Sequence, residues 1–248
     1  MRKTILITGA SSGLGEGMAR RFAAMNRNLA LCARRTERLE ALKQDLESRH
    51  AGIRVSVRAL DVNHYEDVFT VFRAFAEEFD GLDRVIVNAG MGKGQSLGTG
   101  YFYANRQTAE TNFVAALAQC EAALEIFRKQ NQGHLVMISS MSAMRGMPRN
   151  LTTYAATKAG VATLAEGMRA DLMRTPIKVT TIYPGYIRSE INAKVKNTPF
   201  MVDTETGCRA LVKAIEKEVA EASVPAWPWA ILGFLMRNLP LKWVARMG

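Results

Sequence analysis

The chain has 248 residues, of which 48% are hydrophobic, and its formal net charge is +10. This length and composition exclude a disordered chain or a fibre and suit a single α/β domain. The three cysteines are far apart and the three histidines are not clustered, so we expect neither a disulfide framework nor a metal site. Such cysteine usage is typical of a reducing compartment and predicts a cytoplasmic protein.

Short apolar runs alternate with longer helical patterns along the chain. Predicted strands span residues 4–8, 28–33, 53–60, 84–88, 134–139 and 178–183, and predicted helices span 13–25, 36–49, 65–79, 107–130 and 154–174. Continuous apolar strands are typical of a sheet that is covered on both faces. We therefore predict one Rossmann-like domain over 1–248, with three layers and a doubly wound parallel sheet that binds its ligand at the carboxyl ends of the strands.

The first predicted strand runs into a glycine-rich loop that opens the first helix. Glycines allow a sharp turn and a close approach of the backbone to a ligand, and the free N–H groups of a helix N-terminus bind phosphate. The spacing is G-x-x-x-G-x-G rather than the usual G-x-G-x-x-G, and a tight turn that binds nothing is the alternative. We predict a dinucleotide-binding loop formed by Gly9, Ser11, Ser12, Gly13, Leu14 and Gly15.

Two arginines, Arg34 and Arg35, follow the second predicted strand. An acidic residue here would hold the ribose hydroxyls of NAD, whereas arginine accommodates the 2′-phosphate of NADP. The sequence has no acid at this point, which favours NADP(H). The alternative is that both arginines belong to the solvated face of the next helix.

A tyrosine and a lysine, Tyr154 and Lys158, are spaced to share one face of a helix. A nearby ammonium lowers the pKa of a phenol, and a shift of about three units needs about 4 kcal/mol. Upstream, Ser140 follows a predicted strand and could hold a carbonyl oxygen opposite the phenol. The pair alone is common on ordinary helices, but in this context it predicts acid–base chemistry at a cofactor.

These motifs, with Asn88-Ala89-Gly90 and Pro184-Gly185, occur in an order that resembles the short-chain dehydrogenase/reductase family over almost the whole chain. The resemblance implies that Tyr154 is the general acid for ketone reduction and the base for alcohol oxidation. It also implies that Lys158 binds the nicotinamide ribose and lowers the pKa of the tyrosine. By the same resemblance, Ser140 positions the substrate oxygen, and Asn112 maintains a water-linked proton path.

The resemblance further implies cofactor contacts along the carboxyl edge of the sheet and a homo-oligomer, either a dimer or a tetramer. Asp61 and Val62 would flank the adenine, and Ile187 would lie near the carboxamide. The remaining contacts would come from Asn88, Ala89, Gly90, Pro184 and Gly185.

Two positions depart from the family pattern. Ser140 lies one residue farther from Tyr154 than in many members, so Ser139 or Ser142 could take its role. Ser189 stands where a threonine is common, which keeps the hydroxyl.

Substrate contacts are expected from variable segments. Three methionines in the segment 141–148 suit an apolar pocket or ordinary packing, and residues 186–201 would form a flap over the site. The tail, residues 224–248, is rich in Trp and Leu with interleaved basic residues, and it is too short and interrupted to span a bilayer. It is expected to be a subunit-interface arm, a cover for the substrate or a peripheral membrane contact, with packing on the domain as the plain alternative.

We therefore predict an NADP(H)-dependent enzyme that interconverts a ketone and a secondary alcohol on a mainly apolar substrate. A catalytically silent dinucleotide-binding sensor or scaffold is the alternative. An epimerase or dehydratase of sugar nucleotides is disfavoured, since those relatives carry a longer substrate domain. No nucleic-acid partner is predicted, because the basic residues are scattered and no nucleic-acid motif is present.

Overall fold

One seven-stranded sheet organises the chain in the computed structural model, which describes residues 2–92, 94–192 and 198–244. The strands are β1 (Thr4–Thr8), β2 (Asn28–Ala33), β3 (Val55–Ala59), β4 (Arg84–Val87), β5 (Gly133–Ile138), β6 (Ile177–Pro184) and β7 (Glu221–Val224). All neighbouring strands are parallel, in the order β3-β2-β1-β4-β5-β6-β7. The winding therefore reverses between β1 and β4, which is where such sheets bind their ligands.

Helices cover both faces of the sheet. They are α1 (Gly13–Ala23), α2 (Thr36–Arg49), α3 (Tyr65–Glu78), α4 (Phe102–Ala109), α5 (Ala115–Gln130), α6 (Thr152–Asp171), α7 (Thr204–Glu216), α8 (Ala226–Asn238) and α9 (Leu241–Val244). Residues of α3, α5 and α6 form the core on one face, and residues of α1, α2 and α7 form the core on the other. In β1, Leu6 faces the first core while Ile5 and Ile7 face the second, so consecutive apolar residues are all buried.

The predicted parallel sheet with helices on both faces is confirmed, and the six predicted strands and five predicted helices all form. The helix predicted over 107–130 is different: α4 begins at Phe102, and a π-helical turn over Glu110–Val114 separates it from α5. Four elements were not predicted from the sequence: α7, β7, α8 and α9. Strand β7 lies at the sheet edge and has only four residues, so it carries little periodic signal.

A buried polar network lies at the amino ends of the central strands, opposite the glycine loop. The Arg84 side chain donates a 2.8 Å hydrogen bond from Nε to Nδ1 of His134, and Nε2 of His134 lies 2.9 Å from Oγ1 of Thr180. Arg84 also pairs with Glu216. Burial, with help from the Arg84 charge, lowers the pKa of His134 to about 3. His134 is therefore neutral, and this end of the sheet is held together by charge-assisted hydrogen bonds.

No described helix is long and apolar enough to cross a membrane. Within the described ranges, no group of three His, Cys, Asp or Glu side chains could hold a metal ion.

Candidate active site

The glycine loop between β1 and α1 is shaped by its glycines. Gly9 and Gly13 have positive φ angles of 65° and 55°, which side-chain-bearing residues rarely adopt. A Cβ atom on Gly15 would overlap the carbonyl oxygen of Gly9 and lie 2.8 Å from Nδ2 of Asn88. The loop therefore turns tightly into α1, and Leu14 lies in the first turn of that helix. Helix α1 thus begins at the carboxyl edge of the sheet, where the free N–H groups of a helix N-terminus suit an anionic ligand.

The segment Asn88-Ala89-Gly90 is tied to this loop across the neighbouring strands. The backbone N–H groups of Asn88 and Ala89 donate to Oγ1 of Thr8 at 3.0 and 3.1 Å, and the Asn88 amide donates to the Thr8 carbonyl at 2.9 Å. A Cβ on Gly90 would lie 3.2 Å from Oδ1 of Asn112 and 3.5 Å from Nζ of Lys158. The segment thus connects the glycine loop to the predicted catalytic lysine.

Arg35 is held against the glycine loop. Its guanidinium donates to the hydroxyl of Ser11 at 3.2 Å and to that of Ser12 at 2.6 Å. It also pairs with Glu190 at 3.0 Å, and Arg38 pairs with the other oxygen of the same carboxylate at 2.7 Å. Hydrogen bonds from Arg38 and Arg35 lower the pKa of Glu190 to about 2. Sequence reasoning missed Arg38 and Glu190, although Arg38 lies in the first turn of α2, only three residues after Arg35.

Arg34 and Asp61 lie side by side at the ends of β2 and β3. The Arg34 side chain is 70% exposed, and its Nη1 is 3.9 Å from Oδ2 of Asp61. The Asp61 carboxylate accepts the backbone N–H of Asn63 at 3.0 Å, so its orientation is defined. Val62 is 7% exposed and belongs to the core beneath. This edge can therefore offer an open cationic side chain and a fixed carboxylate to a ligand.

Tyr154 and Lys158 lie one turn apart on α6, with Nζ of Lys158 at 6.0 Å from the phenol ring centroid. Lys158 is buried, and its Nζ donates a 2.8 Å hydrogen bond to the carbonyl of Ile138 at the end of β5. Burial lowers the pKa of Lys158 to about 8. Burial also raises the pKa of Tyr154, although hydrogen bonding to Ser140 opposes the shift. This direction is opposite to the lowering expected from Lys158, because the phenol is buried. The phenol is therefore protonated at neutral pH, and the ammonium beside it is mostly charged.

The structure separates the three candidate serines. Ser139 is buried, and its hydroxyl donates to the carbonyl of Lys158 at 2.8 Å, so it supports α6 from below. Ser140 is the serine whose side chain interacts with Tyr154. Its hydroxyl accepts the backbone N–H of Ser142 at 3.1 Å, which fixes its position. The expected pairing of Ser140 with the phenol therefore fits the geometry despite the longer spacing.

Asn112 lies inside the π-helical turn between α4 and α5. Its Oδ1 accepts the N–H of Met91 at 2.8 Å, and its Nδ2 donates to the Met91 carbonyl at 2.9 Å. The same Nδ2 lies 3.4 Å from Oγ1 of Thr157, the residue before Lys158. Such π turns often occur at functional sites, because the extra residue re-aims a side chain.

The segment after β6 passes over the carboxyl edge of the sheet. Pro184 ends the strand, and the N–H of Gly185 donates to the Val224 carbonyl at 2.9 Å. A Cβ on Gly185 would overlap the indole of Trp229 in α8. The Ile187 side chain is 3% exposed and packs on Gly207, so any contact with a cofactor would come from its backbone.

The start of the tail packs on the domain beside this segment. Trp229 makes an edge-on contact with Tyr186, with ring centroids 5.6 Å apart, and belongs to a small apolar cluster with Met141. A Cβ on Gly233 would lie 2.7 Å from the Met141 side chain and 3.8 Å from the sulfur of Met144. Two of the three methionines thus serve as packing partners of α8. Residues 193–197 of the expected flap and 245–248 of the tail lie outside the described residues.

A profile of the short chain dehydrogenase family matches residues 3–199. An uncharacterized oxidoreductase of Mycobacterium tuberculosis is 54% identical over 245 residues, which cover 99% of this chain and 97% of the relative. An uncharacterized oxidoreductase of Myxococcus xanthus is 35% identical, covering 96% of this chain and 93% of its own. The human dehydrogenase/reductase SDR family member 11 is 31% identical, covering 77% of this chain and 75% of its own.

Solved structures have the same fold. A short-chain dehydrogenase from Sphingobium yanoikuyae in complex with NADPH superposes with a TM-score of 0.81, at 25% identity and 96% coverage of each chain. An alcohol dehydrogenase from the archaeon Thermococcus sibiricus, complexed with 5-hydroxy-NADP, has a TM-score of 0.80 at 24% identity, covering 89% of this chain and 95% of its own.

Proposed function

This chain belongs to the short-chain dehydrogenase family, and on that basis we propose that it is an NADP(H)-dependent enzyme that interconverts a ketone and a secondary alcohol on a mainly apolar substrate. One observation carries the proposal: Tyr154, Ser140 and Lys158 converge at the carboxyl end of the sheet, next to the segment that leads to the glycine loop. That convergence provides a proton donor, a hydrogen-bonding hydroxyl and a cation at one point.

The residues along this edge fit a phosphorylated dinucleotide. The glycine loop and the N-terminus of α1 would hold the pyrophosphate, because their N–H groups face outward and Gly15 leaves no room for a side chain. Arg34 and Arg35 would hold the 2′-phosphate, and Arg38 adds a third cation to that cluster. The Sphingobium relative binds NADPH, which supports the same cofactor here.

The cofactor supplies a hydride to the substrate carbon when it is bound. Tyr154 gives its proton to the substrate oxygen in ketone reduction, and its raised pKa keeps it protonated until that moment. The Lys158 ammonium stabilises the phenolate that remains, since its pKa of about 8 leaves it mostly charged at neutral pH. Ser140 holds the substrate oxygen opposite the phenol.

Asn112 and Thr157 lie on the Lys158 side of the site. The Asn112 side chain is buried and is held by both backbone groups of Met91, so its orientation is set before a substrate arrives. It lies beside Gly90, the position whose Cβ would approach Nζ of Lys158. We infer that Asn112 orders the water through which Lys158 and Tyr154 regain the proton. As is common in the family, we expect the active form to be a dimer or tetramer of this chain.

Tyr186 lies close enough to Tyr154 to add to the rise in pKa that burial causes, and it packs on the apolar cluster of Met141 and Trp229, which supports an apolar substrate. The test is NADPH oxidation measured against a panel of cyclic, aromatic and acyl ketones, small charged sugars and the matching alcohols with NADP. We expect turnover with apolar ketones and at least tenfold weaker use of NADH, about 1.4 kcal/mol. Tight NADPH binding with no turnover would instead indicate a silent sensor, and activity confined to charged sugars would refute the substrate class.

A further inference from the structure

The outer face of the tail is apolar and open to solvent. We name this surface the C-terminal face. It consists of six side chains that are each 44–75% exposed: Trp227, Ile231, Phe234, Leu235, Leu241 and Trp243. The set spans α8 and α9, with Trp227 at a kink of the backbone at the start of α8. Large apolar side chains that cluster on a surface are normally buried against a partner, so an exposed set of this size marks an interaction surface.

The tail that forms this face carries charge of one sign, and the acids beside it, Glu166 and Glu221, line a cavity with Arg237 on the domain side. The sequence from residue 222 to residue 248 contains no Asp or Glu. Arg237 and Lys242 are exposed and lie on the same two helices as the apolar side chains. An apolar face with cations at its rim and tryptophans at both ends is suited to the headgroup region of a bilayer that carries anionic lipid.

The inner side of the same helix is fixed to the domain. Trp229 lies on Gly185, and Gly233 lies on Met141, so α8 cannot turn its apolar face inward without losing these contacts. Arg145 donates a 2.9 Å hydrogen bond to the Arg237 carbonyl and closes the end of the helix onto the domain. The face is therefore presented outward by a packed helix, next to the segment that follows β6.

A second copy of this chain is a poorer partner for the face. In a two-fold contact the face would meet itself, so its cations would lie against a surface to which the tail contributes cations and no acid. An anionic surface reverses that balance, because each cation near the headgroups adds to the attraction.

We propose that the C-terminal face docks this protein peripherally on anionic lipid membranes. No described helix could span the bilayer, so the contact is interfacial. Docking places the segment that follows β6 near the lipid surface. Apolar ketones partition into that surface from water. That last consequence rests on the proposed function, whereas the docking itself does not.

The test is sedimentation of the full chain with sucrose-loaded vesicles of phosphatidylcholine alone or with 30% phosphatidylglycerol, at low and high salt. We expect binding to the anionic vesicles, weaker binding at high salt, and a blue shift of tryptophan fluorescence on binding. The Phe234→Ser variant should lose most of this binding. Phe102→Ser is the matched control, since Phe102 is 75% exposed and Phe234 is 69% exposed, but Phe102 lies on α4.

Circular dichroism and NADPH titration of both variants establish that each one is folded, independently of turnover. A wild-type chain that stays in the supernatant with anionic vesicles would overturn the proposal. An equal loss for Phe102→Ser would also overturn it. If the wild type does not sediment with vesicles and Phe234→Ser dissociates an oligomer, the C-terminal face is a subunit interface.

Discussion

The Nζ atom of Lys158 donates a 2.8 Å hydrogen bond to the carbonyl oxygen of Ile138, which anchors a helix-borne ammonium at the carboxyl end of β5. The same helix is held again by the hydroxyl of Ser139, which donates to the Lys158 carbonyl. Both ends of the lysine are thus attached to one strand end. The position of Tyr154, one turn earlier on α6, follows from this attachment.

Gly15 is expected to tolerate no side chain. In Gly15→Ala the new Cβ would meet the Gly9 carbonyl and the Asn88 amide, so the glycine loop must shift. We expect a loss of about 2 kcal/mol in the free energy of unfolding and much weaker NADPH binding. Gly167→Ala is the control, because nothing lies within 4 Å of that Cβ on α6, and it should stabilise by about 0.5–1 kcal/mol. Urea unfolding and NADPH titration test both variants. An unchanged free energy of unfolding and an unchanged Kd for NADPH in Gly15→Ala would contradict the tight loop.

Cofactor choice is expected to depend on the arginines after β2. Arg34→Ala and Arg35→Ala should each raise the Kd for NADPH about tenfold and change that for NADH little, because only NADPH carries the 2′-phosphate. Arg49→Ala, at the far end of α2, is the control and should change neither. Fluorescence titration measures the Kd for NADPH and the Kd for NADH in the wild type and in each of the three variants. Equal use of NADPH and NADH by the wild type would refute the role of these arginines.

Glu190 is expected to oppose NADPH binding. With its pKa lowered to about 2, it stays anionic and occupies Arg35 and Arg38, the same cations that a phosphate would need. Glu190→Gln removes this charge and should lower the Kd for NADPH about threefold, in line with a surface ion pair. Glu40→Gln on α2 is the control. An unchanged or weaker affinity for NADPH in Glu190→Gln would show that the carboxylate does not compete with the phosphate.

His134 is expected to make stability fall in mild acid. Its pKa is about 3 in the folded chain, whereas the ordinary pKa of an exposed histidine side chain is 6.5. Only the unfolded chain binds this proton between those values, so the contribution is complete above pH 6.5 and is lost as the pH falls towards 3. The resulting loss in the free energy of unfolding between pH 7 and pH 4.5 is about 2–3 kcal/mol.

Urea unfolding at the two pH values measures this contribution. In His134→Gln the corresponding part of the decline should disappear, because Gln can still donate to Thr180 but takes up no proton. His64→Gln removes a histidine that is 72% exposed and should keep the wild-type decline. Identical pH dependence in the wild type and His134→Gln would rule out the neutral buried imidazole.

Local patterns explain why much of the fold could be predicted. The bounds of β1, β2 and α2 follow from apolar runs and helical spacing, and the glycine loop and the Tyr154–Lys158 pair are visible within a few residues. These features depend on neighbours in sequence. The π turn around Asn112 has no such signature, since it is an insertion into an otherwise helical stretch.

The missed parts depend on distant contacts. Arg35 and Glu190 are 155 positions apart in the chain, so their ion pair could only be seen in three dimensions. The difference between Ser139 and Ser140 depends on which side of the strand end each hydroxyl faces. The inner and outer sides of α8 are likewise set by the contact of Trp229 with Gly185, in a helix that is apolar nearly all round.

The most direct test of the proposed mechanism is the turnover number of Tyr154→Phe with the best carbonyl substrate, measured together with the Kd for NADPH. Removing the proton donor should lower kcat by about 10²–10⁴-fold, while NADPH affinity changes little. Tyr65→Phe, which removes an exposed phenol at the start of α3, should retain wild-type turnover. Wild-type turnover in Tyr154→Phe would contradict the assignment of Tyr154 as the general acid.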